Sequence, residues 1–157
     1  MRAAMRASAL ATIAAFALGT SSPARALNED VMRNVLSSIL LAQNFTSVCV
    51  KVDPDFAAKT GGKGGDADTI IAHMKEEILA TMTREEAAQI VVSAAGAARA
   101  VGLGMIRALS GGPIEEQESR LKELCDGTAK PLVKGVVETH EERHDFFEQM
   151  IEDARQG

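Results

Sequence analysis

The residues of this chain best suited to chemistry are two histidines four positions apart. The stretch 140–144 reads HEERH, and positions i and i+4 of an α-helix lie one turn apart on the same face. Two imidazoles in this arrangement can share a zinc ion, and a neighbouring carboxylate can activate a zinc-bound water. His140, Glu141 and His144 are therefore candidate metal ligands, and the stretch matches the H-E-x-x-H pattern of zinc metallopeptidases.

The sequence around these residues disfavours a metallopeptidase. The two middle positions of the pattern are Glu142 and Arg143, whereas a buried zinc helix usually keeps these positions uncharged. The longer pattern with a third histidine would need glycine at Phe147 and histidine at Met150, and it is absent. We therefore predict that the protein is not an enzyme. Metallopeptidase activity is the least favoured of the functional hypotheses.

A metal site without catalysis is the more modest hypothesis. The histidines would suit zinc, copper or nickel, and Glu141, Glu148 or His73 from another helix would complete the coordination shell. Two other interpretations need no metal. Imidazoles near carboxylates on an apolar seam would respond to pH, or the pair simply borders the core and hydrogen-bonds its neighbours. The sequence favours this last interpretation, and His73 by itself is typical of a solvated surface residue.

The two histidines belong to a predicted last helix over about 129–154, which Thr128 would cap. Seven acidic residues surround the histidines against only Arg143 and Arg155, so this helix would present an acidic face to a basic partner. Six residues recur at alternating spacings of four and three, the pattern of a seam that faces a helical core: Val133, Val137, His140, His144, Phe147 and Ile151.

The longest predicted helix covers about 84–109 and is apolar or small around most of its circumference. Such a helix is normally buried among other helices, and its apolar part would form a rod of about 36 Å. Gly96, Ala100 and Gly104 recur every fourth residue and would let another helix approach closely. The sequence predicts that this helix is the centre of the bundle, and a homodimer would follow if the small-residue groove were exposed.

Helical periodicity predicts three further helices over about 29–45, 69–81 and 114–125, and no long segment alternates like a strand. A capping box, Thr83 with Glu86, would open the longest helix. The dipeptide at 126–127 would end the helix over 114–125. The glycine-rich stretch 61–65 lacks the G-K-[ST] ending of a phosphate-binding loop. We predict a flexible surface loop there, with Asp68 as the cap of the following helix.

The first 26 residues are typical of a secretory signal peptide. Arginines precede a short apolar core at 10–18, and Ala-Arg-Ala at 24–26 fits the cleavage rule. Cleavage after Ala26 would leave a helical domain of 27–157. The apolar core is shorter than the roughly 20 residues that span a membrane. These features predict a secreted protein, with the bacterial periplasm as its compartment.

The cysteine count and the helix pattern together define the predicted fold class. In an oxidising compartment, the two cysteines of the chain, Cys49 and Cys125, predict one disulfide. The fold is predicted to be all-α, a single-domain bundle of four to five helices around the helix over 84–109, stapled by this disulfide.

Composition excludes several classes of partner. Without its leader the chain keeps 14 of its 17 basic residues against 22 acidic ones, a net charge of about −8, which disfavours nucleic acids and anionic membranes. Arg99 and Arg107 in the longest helix argue against membrane insertion. The predicted function is that of a small secreted or periplasmic protein that binds another protein without catalysis. The alternative is metal binding at 140–144.

Overall fold

The computed structural model describes residues 28–109 and 111–156. The predicted signal peptide, 1–26, lies outside these residues. Within them the chain forms six α-helices of at least eleven residues, one α-helix of five and one π-helical turn of five, with no β-strand, so the all-α fold is confirmed for this part of the chain. The helices are α1 Glu29–Cys49, α2 Phe56–Thr60, α3 Ala67–Ala80, α4 Arg84–Leu109, α5 Ile114–Leu124, α6 Lys130–Glu142 and α7 His144–Gln156.

Side-chain caps fix where the helices begin. The Thr83 N–H donates to the Glu86 carboxylate at 2.8 Å, and the Glu86 N–H donates to the Thr83 hydroxyl at 3.3 Å, so the predicted capping box of α4 is confirmed. The hydrogen bonds that the Thr83 N–H and hydroxyl groups donate to the Glu86 carboxylate hold the pKa of Glu86 below its ordinary value. At α3 the cap is Asp66, whose carboxylate accepts from the Thr69 N–H at 2.9 Å. The prediction of Asp68 as this cap is therefore wrong.

The helix around which the core assembles is α1. Its buried residues recur at helical spacing along its whole length and include Met32, Leu36 and Ala42, each with no exposed surface. They contact α3, α4, α6 and α7. An amphipathic helix of 21 residues whose apolar stripe reaches four other helices is the centre of this bundle.

The longest helix, α4, lies at the edge of the bundle, which corrects the prediction that it is the central rod. It packs mainly against α1, and its fully buried residues in the described chain are Ile90, Ala94 and Ala98. By length and composition alone, Arg84–Arg107 is apolar enough to span a membrane, and 17% of its most apolar stretch is buried. The prediction was wrong because composition measures how apolar a helix is and not how many neighbours cover it.

The α5 and α6 helices form one helical path through a π-helical turn at Cys125–Ala129. In this turn the Lys130 N–H donates to the carbonyl of Cys125, so the predicted helix end at 126–127 is wrong. Pro131 has no N–H, and its ring would clash with the carbonyl four residues earlier in a regular α-helix. The wider π turn accommodates it. Cys125 in this turn and Cys49 at the end of α1 have their sulfur atoms 2.05 Å apart, at the distance of the predicted disulfide.

Candidate functional site

The HEERH stretch does not lie on one helix. α6 ends at Glu142, Arg143 has non-helical backbone angles of φ −129° and ψ 42°, and α7 begins at His144. The prediction of one helix over 129–154 is therefore wrong. The alternating seam continues across the break because α6 and α7 both direct their apolar residues to the core, so periodicity gave no sign of it. His140 and His144 do not share the single helix face that the peptidase pattern requires.

Glu141 faces the glycine-rich loop. Its two carboxylate oxygens accept hydrogen bonds from the backbone N–H groups of Lys63, at 2.8 Å, and Gly64, at 2.5 Å. A Cβ atom on Gly62 would overlap this carboxylate, so the close approach needs glycine there. Gly65 has φ +132°, a conformation that favours glycine. The loop is thus tied to the end of α6, and the predicted metal ligand Glu141 is engaged in this tie.

The backbone hydrogen bonds from Gly64 and Lys63 hold the pKa of Glu141 below its ordinary value. We expect Glu141→Gln to raise the hydrogen-exchange rates of the Lys63 and Gly64 amides several-fold, since a neutral amide is a weaker acceptor than a carboxylate. Amide exchange measured by NMR tests this, with the neighbouring, exposed Glu142→Gln as the control.

The same tie sets a pH dependence. A carboxyl group whose pKa is lowered by folding stabilises the folded state above its unfolded pKa, and this contribution is lost as the pH falls through its folded pKa. Protection of the two loop amides should therefore persist at neutral pH and be lost only as the pH falls through the lowered pKa of Glu141. Unchanged exchange in Glu141→Gln at neutral pH would contradict both expectations.

The structure brings His140 to α3. Its Nε2 atom lies 2.8 Å from Oε2 of Glu77, and the second oxygen of that carboxylate, Oε1, lies 3.1 Å from Nε2 of His73. The three ligand atoms all lie within 4.8 Å of one another. The side chain of His140 is 12% exposed, that of Glu77 30% and that of His73 62%. One carboxylate thus lies between two imidazoles at the rim of the core, and we call these three residues the histidine–glutamate cluster.

The sequence predicts His140 as a ligand and offers His73 as a ligand from another helix, but Glu77 is not among the predicted residues. The signal was present, because His73 and Glu77 are four residues apart on a predicted helix, the same spacing that singled out His140 and His144. What the sequence could not provide was the packing of α3 against α6, which brings Glu77 to His140 across 63 residues.

His144 is close to this cluster without belonging to it. Its ring centroid is 5.1 Å from that of His140 with the planes at 85°, and its Nε2 atom lies 3.4 Å from Oε1 of Glu148. The buried ring of Phe147 contacts both imidazoles, with centroid distances of 5.4 Å to His140 and 6.3 Å to His144. His144 also lines an open groove of about 600 Å³ between α3 and α7.

A second candidate site is the exposed side of α4. Five exposed positions follow one another at spacings of four, three, four and three, and we call them the α4 outer face: Val92, Gly96, Arg99, Leu103 and Ile106. Val92 is 73% exposed, Leu103 43% and Ile106 46%. Beside Leu103 and Ile106, a mostly apolar depression of about 200 Å³ opens towards α1 and α5. The face therefore combines large apolar side chains with a concavity that could receive another.

Comparison of the chain with protein-family models, curated proteins and solved structures finds no match. Its function must therefore be argued from its own residues. Among the described residues, the histidine–glutamate cluster and the α4 outer face are two features whose chemistry or shape could serve a function beyond holding the fold together.

Proposed function

We propose that this is a small secreted or periplasmic helical protein that acts by binding another protein through the α4 outer face, without catalysis. The observation that carries the proposal is the exposure of Val92, Leu103 and Ile106 along one face of a long helix. Large apolar side chains that share one exposed face of a soluble protein mark interaction surfaces more often than scattered ones do.

The geometry of this face favours a helical partner. Residues at alternating spacings of four and three form the seam by which two helices pack side by side. Gly96 lies in the middle of the seam, and a Cβ atom built on it meets nothing within 4 Å, so a second helix can approach the backbone closely. Arg99, also within the seam, favours an acidic or polar residue at the matching position of the partner.

The compartment is part of the same proposal. A signal peptide over 1–26 would export the chain, and the cysteine pair is compatible with an oxidising compartment. A basic partner for the acidic surface of α6 and α7 stays a prediction. The side chains that would meet it are exposed, and they are Glu138, Glu142, Asp145, Glu148, Glu152 and Asp153.

The test uses a photo-crosslinking residue at position 103 of the exported, disulfide-bonded protein, treated with light in the living cell. We expect a crosslinked product of one defined mass, identified by mass spectrometry. Gly96→Leu should reduce its yield by about fivefold or more, because a side chain forced into a close helix contact destabilises the contact by about 1–3 kcal/mol.

The matched control is Gly135→Leu, since Gly135 is a helical glycine on α6 whose Cβ position is equally open. Both variants replace glycine within a helix and should fold at least as well as the parent protein. A product that contains two copies of this chain would identify the partner as a second copy. The proposal is overturned if no product forms at position 103, or if Gly135→Leu reduces the yield as much as Gly96→Leu does.

A further inference from the structure

We propose that the histidine–glutamate cluster, His73, Glu77 and His140, binds a divalent transition-metal ion, with zinc as the expected occupant. The proposal depends on a different part of the molecule from the α4 outer face, so either can fail without the other. The sequence alone pointed to His140, Glu141 and His144. The structure retains His140 from that set, together with His73, which the sequence offers as a ligand from another helix. It adds Glu77, and it engages Glu141 in hydrogen bonds to the glycine-rich loop.

The ligand atoms have the chemistry that zinc uses. Two imidazole nitrogens and one carboxylate oxygen form a ligand set that suits zinc, copper and nickel rather than calcium or magnesium, which prefer oxygen alone. Three protein ligands with one further position for water or another ligand are common at non-structural zinc sites.

The distances fit after a small adjustment. Zinc bonds of about 2.0–2.2 Å place the ligand atoms of a tetrahedral site about 3.4 Å apart. In the cluster the Nε2 atom of His140 lies 2.8 Å from one oxygen of the Glu77 carboxylate, and the Nε2 atom of His73 lies 3.1 Å from the other oxygen. The three atoms that would bind the ion, one from each residue, lie within 4.8 Å of one another. We expect rotation of the imidazole and carboxylate side chains about their own bonds to bring the three atoms to this spacing.

Two features of the fold hold these side chains in place. His73 and Glu77 occupy one face of α3 and move with it as a unit. His140 is fixed from its own side, because Phe147 packs against its ring and the next residue, Glu141, holds the loop that leads into α3. The tie between Glu141 and this loop therefore also positions α6 relative to α3 at the level of the cluster.

Access for an ion is provided by His73, whose side chain is 62% exposed. The cluster is thus open to solvent on the α3 side and closed by the core on the α6 side, where His140 is only 12% exposed. An ion can enter from water and meet one ligand that packs against the core and two ligands from a single helix turn. This arrangement fits a protein that takes up and releases metal.

The experiment is calorimetric titration of the exported, disulfide-bonded protein with zinc chloride, followed by nickel and copper salts. We expect one ion per chain. His73→Ala, Glu77→Gln and His140→Ala should each weaken binding by more than about 100-fold, beyond the 10–100-fold effect of residues that merely support ligands. Cobalt substitution provides an independent readout, since a tetrahedral site gives intense visible absorption.

The matched control is His144→Ala, which removes an equally close imidazole that the proposal leaves out of the cluster. Circular dichroism of every variant shows whether a loss of binding reflects a loss of fold. The proposal is overturned if none of the three metals binds the parent protein. It is also overturned if His144→Ala abolishes binding while His73→Ala and Glu77→Gln retain it, because the site would then lie on α6 and α7. Retention of zinc binding by Gly96→Leu would separate this site from the α4 outer face.

Discussion

Leu36→Ala is expected to lower the free energy of unfolding by about 2–5 kcal/mol, whereas Val92→Ala should change it by no more than about 0.5 kcal/mol. Both substitutions remove part of an aliphatic side chain from a long helix. Leu36 lies on α1 with no exposed surface, and Val92 lies on α4 with 73% of its surface exposed. The first leaves a cavity among several helices, while the second leaves none and even favours the helix, because alanine has the higher helix propensity.

Urea unfolding followed by far-ultraviolet circular dichroism measures both effects. It should be done in the presence of a chelator, so that bound metal does not add stability, and at several protein concentrations, so that self-association is detected. A large loss of stability in Val92→Ala would show that the α4 outer face is covered in the folded protein. In that case the exposure of this face, on which the proposal of protein binding rests, would be contradicted.

The helical character of the chain and the starts of α1 and α4 could be predicted because they depend on local signals. Asn28 caps α1 by accepting a hydrogen bond from the Val31 N–H at 3.2 Å, and Thr83 with Glu86 opens α4. A cap acts within four residues, so its partners are visible in the sequence itself.

The arrangement of the helices could not be predicted in the same way. An apolar circumference indicated that α4 is buried, yet α1 is the helix that other helices surround. The sequence also suggested a helix end at Gly127. There, packing and the cysteine pair outweighed the local preference, and the chain continued through a π turn into Pro131. A local preference does not determine the structure where a tertiary contact opposes it with a larger free energy.

The candidate metal site could be predicted only in part, for the same reason. A spacing of four residues makes two side chains neighbours only if the helix between them is unbroken, and the break at Arg143 has no glycine or proline to announce it. His73 and Glu77 satisfy the spacing rule on a helix that is intact. Their meeting with His140 is a contact between distant segments, and a single sequence does not encode it in any pattern a reader can recognise.

The second large effect is expected from the double substitution of Cys49 and Cys125 by alanine, which should lower the free energy of unfolding by about 4 kcal/mol. The cysteines are 76 residues apart, and a link across so long a loop removes much of the conformational freedom of the unfolded chain. Both residues are buried, at 0% and 2% exposure, so alanine adds no unsatisfied polar group there, and the loss of the two sulfur atoms leaves only a small cavity. A domain of this size is stable by only about 5–15 kcal/mol, which makes this loss a large fraction of the total.

The matched measurement is urea unfolding of the parent protein before and after reduction of the disulfide. Reduction should reproduce the effect of the double substitution to within the small contribution of the two thiols. The link joins the end of α1 to the turn between α5 and α6, so its loss also frees the centre of the bundle from the segment that positions His140. If the reduced and the oxidised proteins proved equally stable, the bond would not be needed for folding. The cysteine pair would then no longer support an oxidising compartment, and the proposed secretion would depend on the signal sequence alone.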